Sequence, residues 1–194
     1  SCAFVDSVLE TYLVNNKRIR RRALVLDPFA GVGTTPIQAA IRGFDVIGFE
    51  INPYAALAAQ TKLHALRAAR SSLPELDEMI DALWLDSRRW KHAGSVKTGA
   101  SAERPEGFQS RIPFFSPRVE RQVLHALAFI SRIDDRHIHN LFRVAFGSVM
   151  VSFSNYTYEP SLSTRPGAGK ELIEDADVSS ALLGKLRQMR AAME

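Results

Sequence analysis

The chain has 194 residues, 46% of them hydrophobic, a formal charge of +4 and a single cysteine, Cys2. That length holds one domain with a helical annex, and the apolar fraction is ample for a packed core. The charge is too mild to demand a nucleic-acid partner. One cysteine excludes an internal disulfide and fits a reducing, cytoplasmic setting. No apolar run of 18 residues appears, so no membrane span is expected. The chain does not begin with methionine, and a piece of a longer protein is the expectation.

In chain order, Ala3 to Val14 predicts a helix with Phe4, Val8, Leu9 and Leu13 on its apolar face. Lys17-Arg18-Ile19-Arg20-Arg21-Arg22 follows, with five positive charges in six residues. Such a run either meets phosphates or forms a solvated connection at the bottom of a sheet. Its place just before a strand favours the second reading. Ala23-Leu24-Val25-Leu26 reads as a strand buried on both faces of a parallel sheet. Asp27-Pro28-Phe29-Ala30-Gly31-Val32-Gly33 breaks it, and the glycines permit a turn and the close approach of a ligand. Thr35-Pro36-Ile37-Gln38 has the form of a capping box with proline at the first helical position. Gly43 falls where a helix C-terminus should end, and Asp45 to Glu50 supplies a second strand. This arrangement predicts a ligand site above two adjacent strand ends and a helix N-terminus, with Glu50 placed to accept from a ribose diol.

Asn52 and Pro53 open the next helix, whose stripe is Ala56, Ala59, Leu63 and Leu66. Ser72-Leu73-Pro74-Glu75 opens another, running to about His92, with Leu76, Met79, Ile80, Leu83 and Trp84 as its buried face. Gly94 to Ser110 lacks periodicity and reads as a mobile loop. Helix resumes at Ser116-Pro117, with Val119, Val123, Leu127 and Ile130 inward. Asp134 or Asp135 caps a further helix to about Ser152, with a strand over Ser148 to Phe153 as the alternative. His137 and His139 point in different helical directions, and no Cys/His cluster suggests a metal. Asn155 to Asp177 is polar and rich in turn residues. Tyr156 and Tyr158 suit stacking on a base and Arg165 and Lys170 suit phosphates; the alternative is a surface loop whose tyrosines pack on the helices. Ser179 to Met193 reads as an amphipathic helix.

Asp27-Pro28-Phe29-Ala30-Gly31-Val32-Gly33-Thr34-Thr35, followed by Glu50-Ile51-Asn52-Pro53, resembles the cofactor motifs of class I S-adenosylmethionine-dependent methyltransferases. The nearest group methylates exocyclic amino nitrogens in DNA, adenine N6 or cytosine N4. The match spans about 30 residues, those from Asp27 to Pro53. The resemblance implies a Rossmann-like α/β fold, incomplete in this chain, with a large helical insertion. It divides the chain into a cofactor-binding core over 1–70, a helical insertion over 71–154 with the loop near 94–113, and a polar loop and helix over 155–194. It implies S-adenosylmethionine as cofactor, DNA as partner and a role such as restriction-modification. Asp27 and Thr34 or Thr35 would lie near the methionine part, Gly31 and Gly33 beneath it, and Glu50 at the ribose. Ile51 would pack on adenine, or in the core; Pro28, Phe29, Ala30 and Asn52 complete the implied set.

The family's second motif, Asp/Asn/Ser-Pro-Pro-Tyr/Phe, presents the target amine and stacks on a flipped base. It is missing here: Ser116-Pro117-Arg118 and Asn155-Tyr156 lack the paired prolines. No catalytic residue is therefore assigned, and a truncated or split enzyme is expected. An RNA methyltransferase acting on guanosine N2, and a non-catalytic cofactor-binding subunit, are the alternatives. A nicotinamide dehydrogenase is disfavoured because the third glycine of G-x-G-x-x-G is absent.

Overall fold

The computed structural model of the chain describes residues 2–15, 23–67, 73–90, 111–158 and 162–193. The basic run Lys17–Arg22, the capping Ser72 and the loop expected over 94–110 lie outside these residues. The molecule is mixed α/β and mostly helical, with a small parallel sheet. It forms two compact units, over Ser1–Ser71 and Ser72–Ala192.

In the first unit, α1 (Cys2–Leu9) runs into a wider π-type turn over Glu10–Val14. β1 (Leu24–Asp27), α2 (Thr34–Ile41), β2 (Asp45–Gly48) and α3 (Pro53–Arg67) follow. β1 and β2 pair in parallel, with Leu24 opposite Asp45 and Asp27 opposite Gly48. Two further bonds carry the pairing beyond the strands. The Phe49 N–H donates to the Asp27 carbonyl and the Ala30 N–H to the Phe49 carbonyl, each at 2.9 Å. The two strand exits are thus held side by side.

The helices cover the sheet through small side chains: Ala30, Ala39, Ala58 and Ala59 are buried where α2 meets α3. The expectation of a strand buried on both faces is not met. Leu24 is 59% exposed and Leu26 61%, and Ile47 and Phe49 are exposed with them. Alternation decides this, because residues two apart share a face. Val25 and Val46 turn toward the helices, whereas the other face is apolar and uncovered. The face of α1 also differs from expectation. Only Leu9 is buried there, whereas Phe4 and Val8 are exposed. On α3 the buried stripe is Ala58, Ala59 and Thr61, one step around from the predicted one, and Leu66 is exposed.

The start of α2 departs from the capping-box expectation. Its N-cap is Gly33 in the left-handed region, no side chain caps it, and Pro36 sits in the third helical position. Gly43 does end the segment, its N–H donating to the Ala40 carbonyl. Asn52 caps α3 as expected, accepting from the N–H groups of Tyr54 and Ala55.

The second unit packs α4 (Leu73–Ser87), α5 (Pro117–Ile130), α6 (Arg136–Val149) and α7 (Val178–Ala191) around one apolar core. Leu83, Val119, Phe142, Leu182 and Leu186, from all four helices, are fully enclosed. α7 touches each of the other three. It is fastened to α4 by a two-pronged ion pair, in which Arg190 Nε and Nη2 each donate at 2.8 Å to Asp77. Arg190 thereby holds the Asp77 carboxyl below its ordinary pKa. Asp135 caps α6 through the N–H groups of His137 and Ile138. α6 continues into a short 3₁₀ helix over Met150–Phe153, so the segment is helical to about Ser152 as expected and the alternative strand is not formed. Trp84, expected in the core, is exposed and lies under the Arg88 guanidinium at 5.3 Å.

Trp90 is the aromatic that the core takes instead. It donates its ring N–H to Asp86 at 3.0 Å and lies parallel to the His125 ring, 6.0 Å away. His125 Nε2 is enclosed without a partner among the described residues. Burial pushes this imidazole below its ordinary value of 6.5, against a smaller upward pull from Asp86. The folded form therefore prefers neutral His125, and as pH falls the unfolded chain takes up the proton first. Stability is full above about pH 6.5 and declines as pH drops toward the lower folded value. His125→Phe keeps the ring and removes the proton site. Denaturant unfolding from about pH 7 to about pH 5 should show the variant gaining on wild type as the pH falls. A constant difference would mean that His125 does not drive the acid loss.

Candidate functional site

The residues of the two cofactor-like motifs lie at one end of the two-stranded sheet. Asp27 ends β1, the glycine turn follows it, Thr34 and Thr35 begin α2, and Glu50 to Asn52 follow β2. The first N–H groups of α2 have no partner within the helix.

Glu50 organises the geometry. One carboxylate oxygen accepts the Gly31 N–H at 2.8 Å, although 19 residues separate the two. The other accepts the Asn52 N–H at 2.7 Å. Asp27 accepts from the Phe29 N–H at 3.0 Å, which folds the turn back onto the strand end. The Gly33 N–H then donates to the Ala30 carbonyl at 2.8 Å. Of the remaining flagged residues, Pro28 is exposed, Ala30 is buried and Asn52 is committed to its capping role. Phe29 is 89% exposed and Ile51 97% exposed, so Ile51 is not packed in the core. Both apolar side chains are therefore bare.

The two glycines are required for different reasons. Gly31 has φ +52°, and a Cβ there would meet nothing within 4 Å. Its open side is space that a ligand can enter. Gly33 has φ +89°, but a Cβ there would lie 2.8 Å from the Ala59 Cβ of α3. The close approach at Gly33 is that of a neighbouring helix.

Lys62 belongs to the site but was not singled out in the sequence. Its ammonium donates to the Val32 carbonyl at 3.0 Å, reaching the glycine turn from α3. The available signal was its position three residues after Ala59, on the face of α3 that meets the turn.

The polar stretch after Asn155 lies in the second unit and is folded onto itself. Tyr156 stacks on Phe114 at 5.1 Å, and its hydroxyl accepts the Arg111 N–H. Arg165 Nε donates to the Glu171 carbonyl at 2.8 Å, and Lys170 Nζ to Thr157 at 3.3 Å. Tyr158 is exposed. Asn155 is a buried node: it accepts the Ile173 N–H, donates to the Pro113 carbonyl and to Ser116, and pairs its backbone with Phe114 and Arg165. Ser116 and Asn155, each weighed separately against the missing motif, are thus partners of one another inside the helical unit. Among the described residues no group of three or more potential metal ligands occurs. No described helix is long and apolar enough to cross a membrane.

The packing at Gly33 is directly testable. Gly33→Ala should destabilise the chain by about 2–4 kcal/mol, combining left-handed strain with overpacking against Ala59. Gly31→Ala should cost only the strain, about 1–2 kcal/mol. Equal losses in denaturant titrations would rule out Ala59 as the cause of the difference. No family model matches the chain, and no curated protein or solved structure matches it either. What the site does has to be read from its own residues.

Proposed function

We propose that this chain is the S-adenosylmethionine-binding part of a methyltransferase that acts on an exocyclic amino group of a base in DNA. The observation that carries the reading is the pairing of the glycine turn with Glu50, in a parallel β-α-β unit whose sequence resembles that family. The finer reading of the fold, a Rossmann-like methyltransferase core, belongs to the same proposal. Support comes from the parallel β1–β2 pair and from the site's place at the carboxyl ends of its strands.

The residues present suit such a cofactor. Glu50 would accept from the ribose hydroxyls, since each carboxylate oxygen keeps a second acceptor direction after taking one backbone N–H. Ile51 and Phe29 would supply apolar contact to the adenine. Gly31 leaves room over the turn, and Asp27, Thr34 and Thr35 would meet the amino and carboxylate ends. The bound cofactor supplies an electrophilic methyl group on a sulfonium. The chain's part in transfer is to fix that group relative to an incoming amine and to exclude water, which is where rate enhancement by alignment arises. Residues that orient the amine are not identified. Ser116 and Asn155 are spent on each other, and this favours a partner chain or further segment that carries the second motif.

Calorimetric titration of the chain with S-adenosylmethionine, with NAD as control, is the direct test. Saturable binding of the first alone is expected. Glu50→Ala should weaken it by roughly 1–3 kcal/mol, about 5- to 150-fold in Kd. Failure of S-adenosylmethionine to bind, or equal binding of NAD, would overturn the reading.

A further inference from the structure

We propose that Glu50 has a second task, as the positioning residue that clamps the glycine turn to the exit of β2 before any ligand arrives. The Ala30 N–H bond to the Phe49 carbonyl holds the start of the turn at that exit, and the Glu50 carboxylate holds Gly31, the next residue. Gly31 sits at φ +52° with open space where a side chain would pack, so no van der Waals contact fixes it on that side. Its N–H donates to the Glu50 oxygen at 2.8 Å and loses that acceptor when the carboxylate is removed. The partner oxygen takes the Asn52 N–H at 2.7 Å, so one carboxylate bridges the loops that leave two neighbouring strands. On the other side of the same turn, Lys62 donates to the Val32 carbonyl at 3.0 Å. Two successive residues of the turn, Gly31 and Val32, are thus held by a carboxylate and an ammonium group.

The chemistry of the clamp selects glutamate. Both groups to be held are N–H donors, and each meets its own oxygen of the carboxylate. Glutamine would turn an N–H₂ toward one of them. Alanine would leave both without a partner. The clamp needs no ligand and stands independently of the cofactor assignment. If that assignment also holds, loss of Glu50 disorders the turn as well as removing a ribose contact.

Amide exchange and amide proton shifts in the ligand-free, ¹⁵N-labelled chain test this. In Glu50→Gln, one of the Gly31 and Asn52 amides should exchange at least about tenfold faster and move upfield; in Glu50→Ala, both should. The amides of α2 and α7 should keep wild-type rates. If Glu50→Ala does not fold, the nearly isosteric Glu50→Gln carries the same readout on its own. Unchanged Gly31 and Asn52 amides would overturn the proposal. So would faster exchange spread evenly over the first unit, which marks general destabilisation. Because no ligand is added, absence of cofactor binding would leave this result standing.

Discussion

In the first unit the hydrogen bond between the Gly31 N–H and the Glu50 carboxylate ties together the segments that leave two neighbouring strands, across 19 residues of sequence. Parallel strands cannot be joined by a tight turn, so the chain must cross over through a helix. That crossover brings the end of β1 beside the end of β2, and the backbone bonds of Phe49 and Ala30 extend the contact past the last ladder pair. The carboxylate then finds two N–H groups converging on it. A charged acceptor in a half-buried position makes stronger bonds than a neutral one, so a single side chain can set the shape of the turn. Gly33, with α3 pressed against it, fixes the far end of that turn.

The same unit leaves much apolar surface bare. Sheets of parallel strands are normally covered on both faces, yet Leu24, Leu26, Ile47 and Phe49 have no cover among the described residues. The helical unit has its own short pairing, Tyr156–Thr157 with Ser163–Thr164, antiparallel and local. Its stability has a different origin: apolar residues from four helices enclose one core, and a two-pronged Arg190–Asp77 pair fastens the last helix. Asp77 keeps nearly half of its side chain in solvent, and this screening holds the pair's contribution below that of the core.

Polar residues in the helical unit do structural work that resembles functional decoration when read in one dimension. Asn155 satisfies backbone groups at residues 113 and 173 and touches Ser116, so a short polar side chain substitutes for secondary structure where three loop segments meet. Tyr156 and Lys170 are drawn into the same arrangement. Buried polar groups need partners, and a loop dense in Asn, Ser, Thr and Tyr can supply them from its own neighbours.

The sequence by itself determined the β-α-β order, the glycine turn, the acid just after the second strand and the cap at Asn52, and it narrowed the cap of α6 to Asp134 or Asp135. These features depend on local backbone chemistry: where a donor needs an acceptor, where φ must be positive, where an apolar run must be a strand. Only the tertiary structure decided which faces are covered, because that depends on which elements come together. Thus Leu26 and Trp84 look like core residues yet are exposed, whereas Trp90 is buried. Tertiary contact also decided that Gly33 makes room for Ala59 and that Lys62 reaches the turn. It likewise made Ser116 and Asn155 partners across 39 residues. Pattern and spacing record each residue's own preferences, and long-range contacts depend on partners that no local window contains.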